Sequence, residues 1–199
     1  MRHIPWWARV SAGAAPVLLG GGWTLAAARQ PAGYDPIRDT ISALAARGAS
    51  DRWVMTSALA GLGACHVVTA MGLRPARPGG RAVLAVGGAA TVLVAAFPQP
   101  VEGNSTAHTL AAAVAFGALG VWPIFAARRT PAAPLLGRSP SLTAATVLLG
   151  LVTWFVLEVH GDLRGLAERA AAGGQALWPL AVVLTGWRAT RRGREERVS

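Results

Sequence analysis

Three short stretches of this chain gather groups that can move protons or hold ions: Asp39, Thr40 and Ser42; Glu102, Asn104, Ser105 and His108; and Glu158, His160 and Asp162. A carboxylate beside an imidazole is the usual equipment for acid–base catalysis near neutral pH, and two imidazoles with a carboxylate can ligate zinc. Asp39, His108, Glu158 and His160 are therefore the candidate catalytic groups. Asp39, Ser42, His108, Glu158 and Arg169 are the candidate ligand-binding residues. Arg38, Arg47, Arg164 and Arg169 lie in or beside the first and third stretches, so the same inventory can instead form a salt-bridged cap. The cap is the simpler reading, because acids and arginines in loops need no special reason to exist. No metal or cofactor is expected. His66 falls thirteen residues past Trp53. At 1.5 Å per residue that is roughly 20 Å below the level of His108 and His160, too deep to join them. Glu158 directly follows Trp154-Phe155-Val156-Leu157, so partial desolvation makes it a candidate general acid. His66 and Cys65 are the deepest polar side chains; His66 is expected to bond a hydroxyl such as that of Thr91 or Thr146, or to be functional in its own right. Gly103-Asn104-Ser105 is not a nucleophile elbow, which needs a preceding strand.

The elements that must carry these groups are set by hydropathy. Of the 199 residues 53% are apolar and 14% are charged, against roughly 25% charged in a soluble domain. Crossing a bilayer takes roughly 20 apolar residues. Six segments of this single domain approach that length: 5–28, 53–73, 82–98, 106–127, 141–157 and 174–187. The fold class is all-α: a polytopic transmembrane bundle of six helices, with short amphipathic helices in the outer loops. The first segment is too long for the core of a signal peptide and is expected to stay as a helix.

All 19 basic residues are Arg, and the net charge is +10. Arg and Ala in place of Lys and Ile are the composition of a GC-rich bacterial genome. The arginines form no stripe with interleaved aromatics, so no nucleic-acid partner is expected. Arg74, Arg77 and Arg81, then Arg128, Arg129 and Arg138, then Arg188, Arg191, Arg192, Arg194 and Arg197 of the basic tail at 188–199 mark alternate loops as cytoplasmic. The other loops hold Asp35, Asp39, Asp51, Glu102, Glu158, Asp162 and Glu168. Both termini then lie in the cytoplasm, in the cell (plasma) membrane. The lone cysteine, Cys65, has no partner for an intrachain disulfide.

Asp35-Pro36 reads as a helix start, with Ile37, Ile41 and Leu44 as its apolar face and Gly48 as its stop; this helix is expected to lie on the outer interface. Asp162 is expected to begin another stretch, which either lies on the surface or runs straight into the sixth helix, with Gly173-Gly174 as the break. Gly20-Gly21-Gly22, Gly61-x-Gly63, Gly87-Gly88 and Gly117-x-x-Gly120 should allow close helix contacts. Trp6, Trp7, Trp53, Trp122, Trp178 and Trp187 sit toward the span ends, as an aromatic belt would. The halves show no matched repeat, which counts against a transporter.

The run Tyr34-Asp35-Pro36-Ile37-Arg38-Asp39-Thr40-Ile41-Ser42-Ala43-Leu44 resembles the signature of the bacterial membrane family called domain of unknown function 998. Phe97-Pro98, His108 and Gly165-Leu166-Ala167-Glu168-Arg169 fit the same pattern. The chain is also distantly similar to the eukaryotic Frag1/DRAM/Sfk1 membrane proteins, which are associated with membrane lipid organisation and autophagy. The resemblance implies a six-helix fold with an outward polar cap, and no reaction.

The sequence thus reads first as a non-enzymatic membrane protein that binds or organises a lipid or partner at its outer face. Membrane lipids are the expected partners, with a membrane protein or a second copy of the chain as further possibilities. The alternative is an enzyme acting on a lipid or prenyl substrate, with Asp39, His108 and Glu158 as acid–base groups. Asp39, Ser42 and His108 are expected to meet across the outer mouth.

Overall fold

The computed structural model describes residues 3–130 and 133–195, without the side chains of 190 and 192–195. Of the basic tail, Arg197 lies outside the described residues, as do the side chains of Arg192 and Arg194. Seven α-helices follow in order: α1 (Trp6–Ala27), α2 (Ile41–Leu44), α3 (Trp53–Gly72), α4 (Pro78–Ala96), α5 (Thr106–Ala126), α6 (Arg138–Leu157) and α7 (Arg164–Glu195). A 3-10 turn, Pro134–Leu136, precedes α6, and no strand occurs among the described residues. Five helices, α1, α3, α4, α5 and α6, are long and apolar enough to cross a membrane. The chain is a polytopic helical membrane bundle.

Local chemistry sets the helix starts. Pro78, whose missing N–H costs nothing in a first turn, opens α4. Ser105 caps α5 by accepting the His108 N–H at 3.2 Å. α7 takes the second of the two expected forms, running straight into the sixth segment, but without the glycine break. It begins at Arg164 and passes unbroken through Gly173-Gly174, giving 32 residues. Glycine inside a helix costs about 1 kcal/mol relative to alanine. Here the bare Gly174 admits α6: a Cβ built there would lie 3.1 and 3.2 Å from Leu151 and Leu148.

Packing runs α1 against α3, α3 against α4, α4 against α5, α5 against α6, α6 against α7, and α7 back against α1. Small residues set the distances. A Cβ on Gly63 would come 2.5 Å from the Gly88 carbonyl oxygen, and one on Gly87 or Gly120 would strike Leu119 or Leu149 at 2.7 Å. Gly22 abuts Ala58, and Gly80 abuts the backbone of Ala126. Gly20, Gly21 and Gly117 have nothing within 4 Å and take no part in close packing. The aromatic belt is also only partial. Trp6 and Trp53 are exposed, but Trp122 is fully buried and packs among Leu84, Leu119 and Val182 in the half of the bundle nearest the α3–α4 loop.

The first outer loop departs most from its sequence reading. The helix spans only Ile41–Leu44, and its cap is Thr40, whose hydroxyl accepts the Ala43 N–H at 3.0 Å. Asp35 caps a turn instead: its carboxylate takes the Ile37 N–H at 2.9 Å, and the Asp39 carboxylate bonds back to the Asp35 N–H at 2.9 Å. The turn leaves Ile37 exposed while Ile41 and Leu44 are buried. α2 is therefore a plug between α1 and α7 rather than a helix lying on the interface. Local propensity favoured a longer helix; a long-range carboxylate, described next, stops it.

Candidate functional site

Glu168 stands one turn into α7 and is buried. Its Oε2 accepts the Ile41 N–H, and its Oε1 accepts the Ser42 hydroxyl at 2.9 Å. The carboxylate thus takes up one of the unpaired N–H groups of a helix start. Ser42 Oγ also lies 3.3 Å from His108 Nε2, and His108 Nδ1 lies 2.9 Å from the Phe97 carbonyl oxygen. A chain of four groups, Glu168–Ser42–His108–Phe97, therefore ties α7, α2, α5 and the end of α4 together. Two donors and the neighbouring Arg169 favour an ionised Glu168, whereas burial favours the neutral acid.

Arg169 and Arg164 clamp the loop from outside this chain. The Arg169 guanidinium donates to the carbonyls of Pro36 and Asp39 at 2.7 Å each and of Gly165 at 3.0 Å, and to the Tyr34 hydroxyl. It also lies 5.9 Å from the centre of the Trp23 ring. Burial raises the Tyr34 phenol above its ordinary value, against the opposing pull of Arg169. Arg164 donates to the Arg38 carbonyl at 2.7 Å and pairs with Asp39 at 3.7 Å. Gly165 presses on the carbonyls of Pro36 and Asp39, so a side chain there would push the loop off.

Beneath α2 lies a cavity of about 50 Å³, reached by Ser42, Glu168, His66, Thr91 and Gln175. On this measure one water needs about 10–15 Å³, so the cavity has volume for about three to five. Both ring nitrogens of His66 are buried without a hydrogen-bond partner, and Thr91 instead donates to the Gly87 carbonyl at 2.9 Å. The hydroxyl bond expected for His66 is therefore not formed. Gln175 donates to the Phe116 carbonyl at 2.8 Å.

A second feature opens sideways. Between α3 and α4 runs a groove of about 590 Å³, with Arg47 and Arg52 at its outer end and Thr56, Ala60, Val92 and Ala95 along it. The Arg52 guanidinium stacks 4.0 Å from the centre of the Trp53 ring. Asp51, the nearest acid in sequence, pairs with Arg29 at 3.4 Å. The Thr56 hydroxyl is buried in the groove wall and has no partner.

The sequence candidates therefore separate. Ser42 and His108 meet directly. Asp39 faces Asp35 and Arg164, and its polar contacts do not reach His108. Glu158 is partly exposed and caps its own turn, accepting the Leu163 N–H at 3.3 Å; His160 is exposed. Arg169 holds loop carbonyls. The sequence reading misses Glu168, because an acid beside Arg169 near a loop looks like part of a solvated ion pair. Its signal was present: it lies seven residues before Gln175, two turns along one helix face, with the buried Ala171 between them.

Buried polar tethers, lipid-length helices and the α2 plug define a polytopic membrane protein with a stitched cap at one end of the bundle. The model of the family described as protein of unknown function (DUF998) matches residues 12–185, and the chain belongs to that family. No curated protein and no solved structure matches it.

Proposed function

We propose that this protein binds an anionic phospholipid in the groove between α3 and α4 and thereby organises lipid at the outer face of the plasma membrane. One observation carries the reading. Arg47 and Arg52 have no ion-pair partner among the described residues, and they stand over an apolar groove whose wall holds the unpartnered Thr56 hydroxyl. A phosphate suits the two guanidiniums, and an ester or glycerol oxygen suits Thr56. Ala60 and Ala95 leave room for an acyl chain. Arg164 and Arg169, by contrast, are spent on the loop.

The test is reconstitution in mixed vesicles of phosphatidylglycerol and phosphatidylcholine, followed by native mass spectrometry of the retained lipid. Wild-type protein is expected to keep phosphatidylglycerol selectively. Arg47→Gln and Arg52→Gln should each weaken retention roughly ten- to a hundredfold, since a hydrogen bond to a charged group contributes roughly 1.5–3 kcal/mol. Unchanged selectivity in the double variant would sink the proposal. A second reading, acid–base chemistry on a lipid or prenyl substrate at the outer mouth, draws on the contact between His108 and Ser42. The cavity there has room for waters but not for a lipid headgroup, so this reading needs α2 to lift. The same vesicles separate the two: lipid recovered intact supports binding, and turnover abolished by His108→Gln supports catalysis.

The orientation belongs to the same proposal: six spans, the sixth within α7, with both termini in the cytoplasm. It is supported by the pairing of the Arg-rich loops. Arg77 N–H bonds the Ala126 carbonyl and Arg128 N–H bonds that of Leu136, so the α3–α4 and α5–α6 loops share one end of the bundle. In a Cys65→Ala background, single cysteines at Ser105 and Ala43 should react with an impermeant reagent on intact cells. One at Gly79 should react only after lysis. The reverse pattern would invert the topology.

A further inference from the structure

We infer that Glu168, Ser42 and His108 form a site that binds one proton in common. The argument is a count of hydrogens. A carbonyl oxygen only accepts, so His108 Nδ1, facing the Phe97 carbonyl at 2.9 Å, carries a hydrogen. In a neutral ring Nε2 is then a bare acceptor, and it faces Ser42 Oγ at 3.3 Å. Glu168 Oε1 faces the same hydroxyl at 2.9 Å. With Glu168 ionised and His108 neutral, two acceptors compete for the single Ser42 hydrogen, and one contact is left as lone pair against lone pair.

One added proton removes the conflict in either of two ways. Placed on Nε2, it donates to Ser42 Oγ, while Ser42 donates to the Glu168 carboxylate. Placed on Oε1, it donates to Ser42 Oγ, while Ser42 donates to Nε2. Both forms satisfy every contact, and both leave the His108–Glu168 pair with zero net charge. An isolated ion in such surroundings is strongly disfavoured, because it loses its hydration without gaining a counter-charge. Moving between the forms shifts one proton at each end and reverses the Ser42 hydroxyl, with nothing consumed. A second proton would leave the pair net positive and turn both neighbours into donors toward Ser42, and loss of the first would restore the conflict.

The other charged or titratable groups around the site are few. Arg169 and Tyr34 lie beside Glu168 and are bound to each other, and Asp39 faces Arg164. His66 reaches the cavity from α3. The cavity, which Glu168 and Ser42 both reach and which has volume for water, gives the site a route for exchange.

The test uses the full chain in lipid nanodiscs. Infrared spectroscopy follows the protonated carboxyl, and nitrogen NMR of labelled histidine follows the His108 ring, across a pH titration. Both signals are expected to change together, with uptake of one proton. Ser42→Ala should split them into two independent titrations, while Ser42→Thr, which keeps the hydroxyl, should hold them together. Signals that titrate separately in the wild-type protein overturn the inference, and so does coupling that survives Ser42→Ala. The wild-type comparison alone decides if a variant does not fold.

Discussion

Glu168→Ala is expected to destabilise the folded protein by about 3–5 kcal/mol, the range seen when one partner of a buried charged network is removed. The loss has two sources. The Ile41 N–H loses its acceptor within a buried site, at about 1–3 kcal/mol for an unsatisfied group, while the Ser42 hydroxyl can turn to His108. α2 is then held between α1 and α7 by Thr40, its own apolar side chains, the Ser42–His108 contact and the arginine clamps on the preceding loop. Glu168→Gln should behave differently. Its carboxamide oxygen can accept the Ile41 N–H, and its amino group can donate to Ser42 Oγ, which frees the Ser42 hydroxyl for His108. That is the pattern of the neutral acid, so the cost should stay within about 1 kcal/mol. Reversible unfolding in bicelles would measure both. Equal losses for the alanine and glutamine variants would show that the carboxyl acts by bulk alone and that the tethers contribute nothing.

Helix positions were readable because they depend on runs of apolar residues, a property each segment carries by itself. The end of α3 and the start of α5 lie within a residue of expectation for that reason. What α2 does was not readable. Asp35-Pro36 is a good local helix start, but Glu168, more than 120 residues away, captures the Ile41 N–H and fixes the helix start at Thr40. A local signal cannot report a partner at that distance. Glu168 was obscured by its own neighbourhood, because Glu-Arg near a loop looks solvated. Only its two-turn spacing to Gln175 marks the inward face. His66 shows the limit in the other direction. Its depth was inferable, but whether a hydroxyl reaches it depends on helix rotation, and Thr91 turned to its own backbone instead. The groove residues Arg47 and Arg52 carried no distinguishing pattern. Their significance arises from the absence of a carboxylate partner, which is a property of three-dimensional placement.

Glycine motifs show the same division, and they give the second large effect. Gly63→Ala and Gly88→Ala are each expected to cost about 1–3 kcal/mol, at the upper end of overpacking penalties. The two residues face each other across α3 and α4. A Cβ at 63 would lie 2.5 Å from the Gly88 carbonyl oxygen and 2.8 Å from the Val92 amide nitrogen. A Cβ at 88 would lie 2.6 Å from the Gly63 carbonyl oxygen and 2.9 Å from the Val67 amide nitrogen. The obstacles are backbone atoms, so no rotamer change relieves them and the helices must move apart. In lipid that separation forfeits dispersion contacts, the main attraction between spans. Once either alanine has spread the pair, the other meets less resistance, so the double variant should cost less than the sum of the two, with a coupling of about 0.5–3 kcal/mol. Gly117→Ala and Gly150→Ala are the controls: nothing lies within 4 Å of a Cβ at either, and alanine's better helix propensity makes them neutral or stabilising by up to about 1 kcal/mol. Unfolding in bicelles again gives the ranking. Because Thr56 and Ala60 stand on α3 while Val92 and Ala95 stand on α4, the spread also widens the groove proposed to take lipid. Gly63→Ala should therefore lower phosphatidylglycerol retention even though it touches neither arginine. If Gly63→Ala is as mild as Gly117→Ala in unfolding, the α3–α4 contact is looser than these distances require, and the groove walls are not held by it.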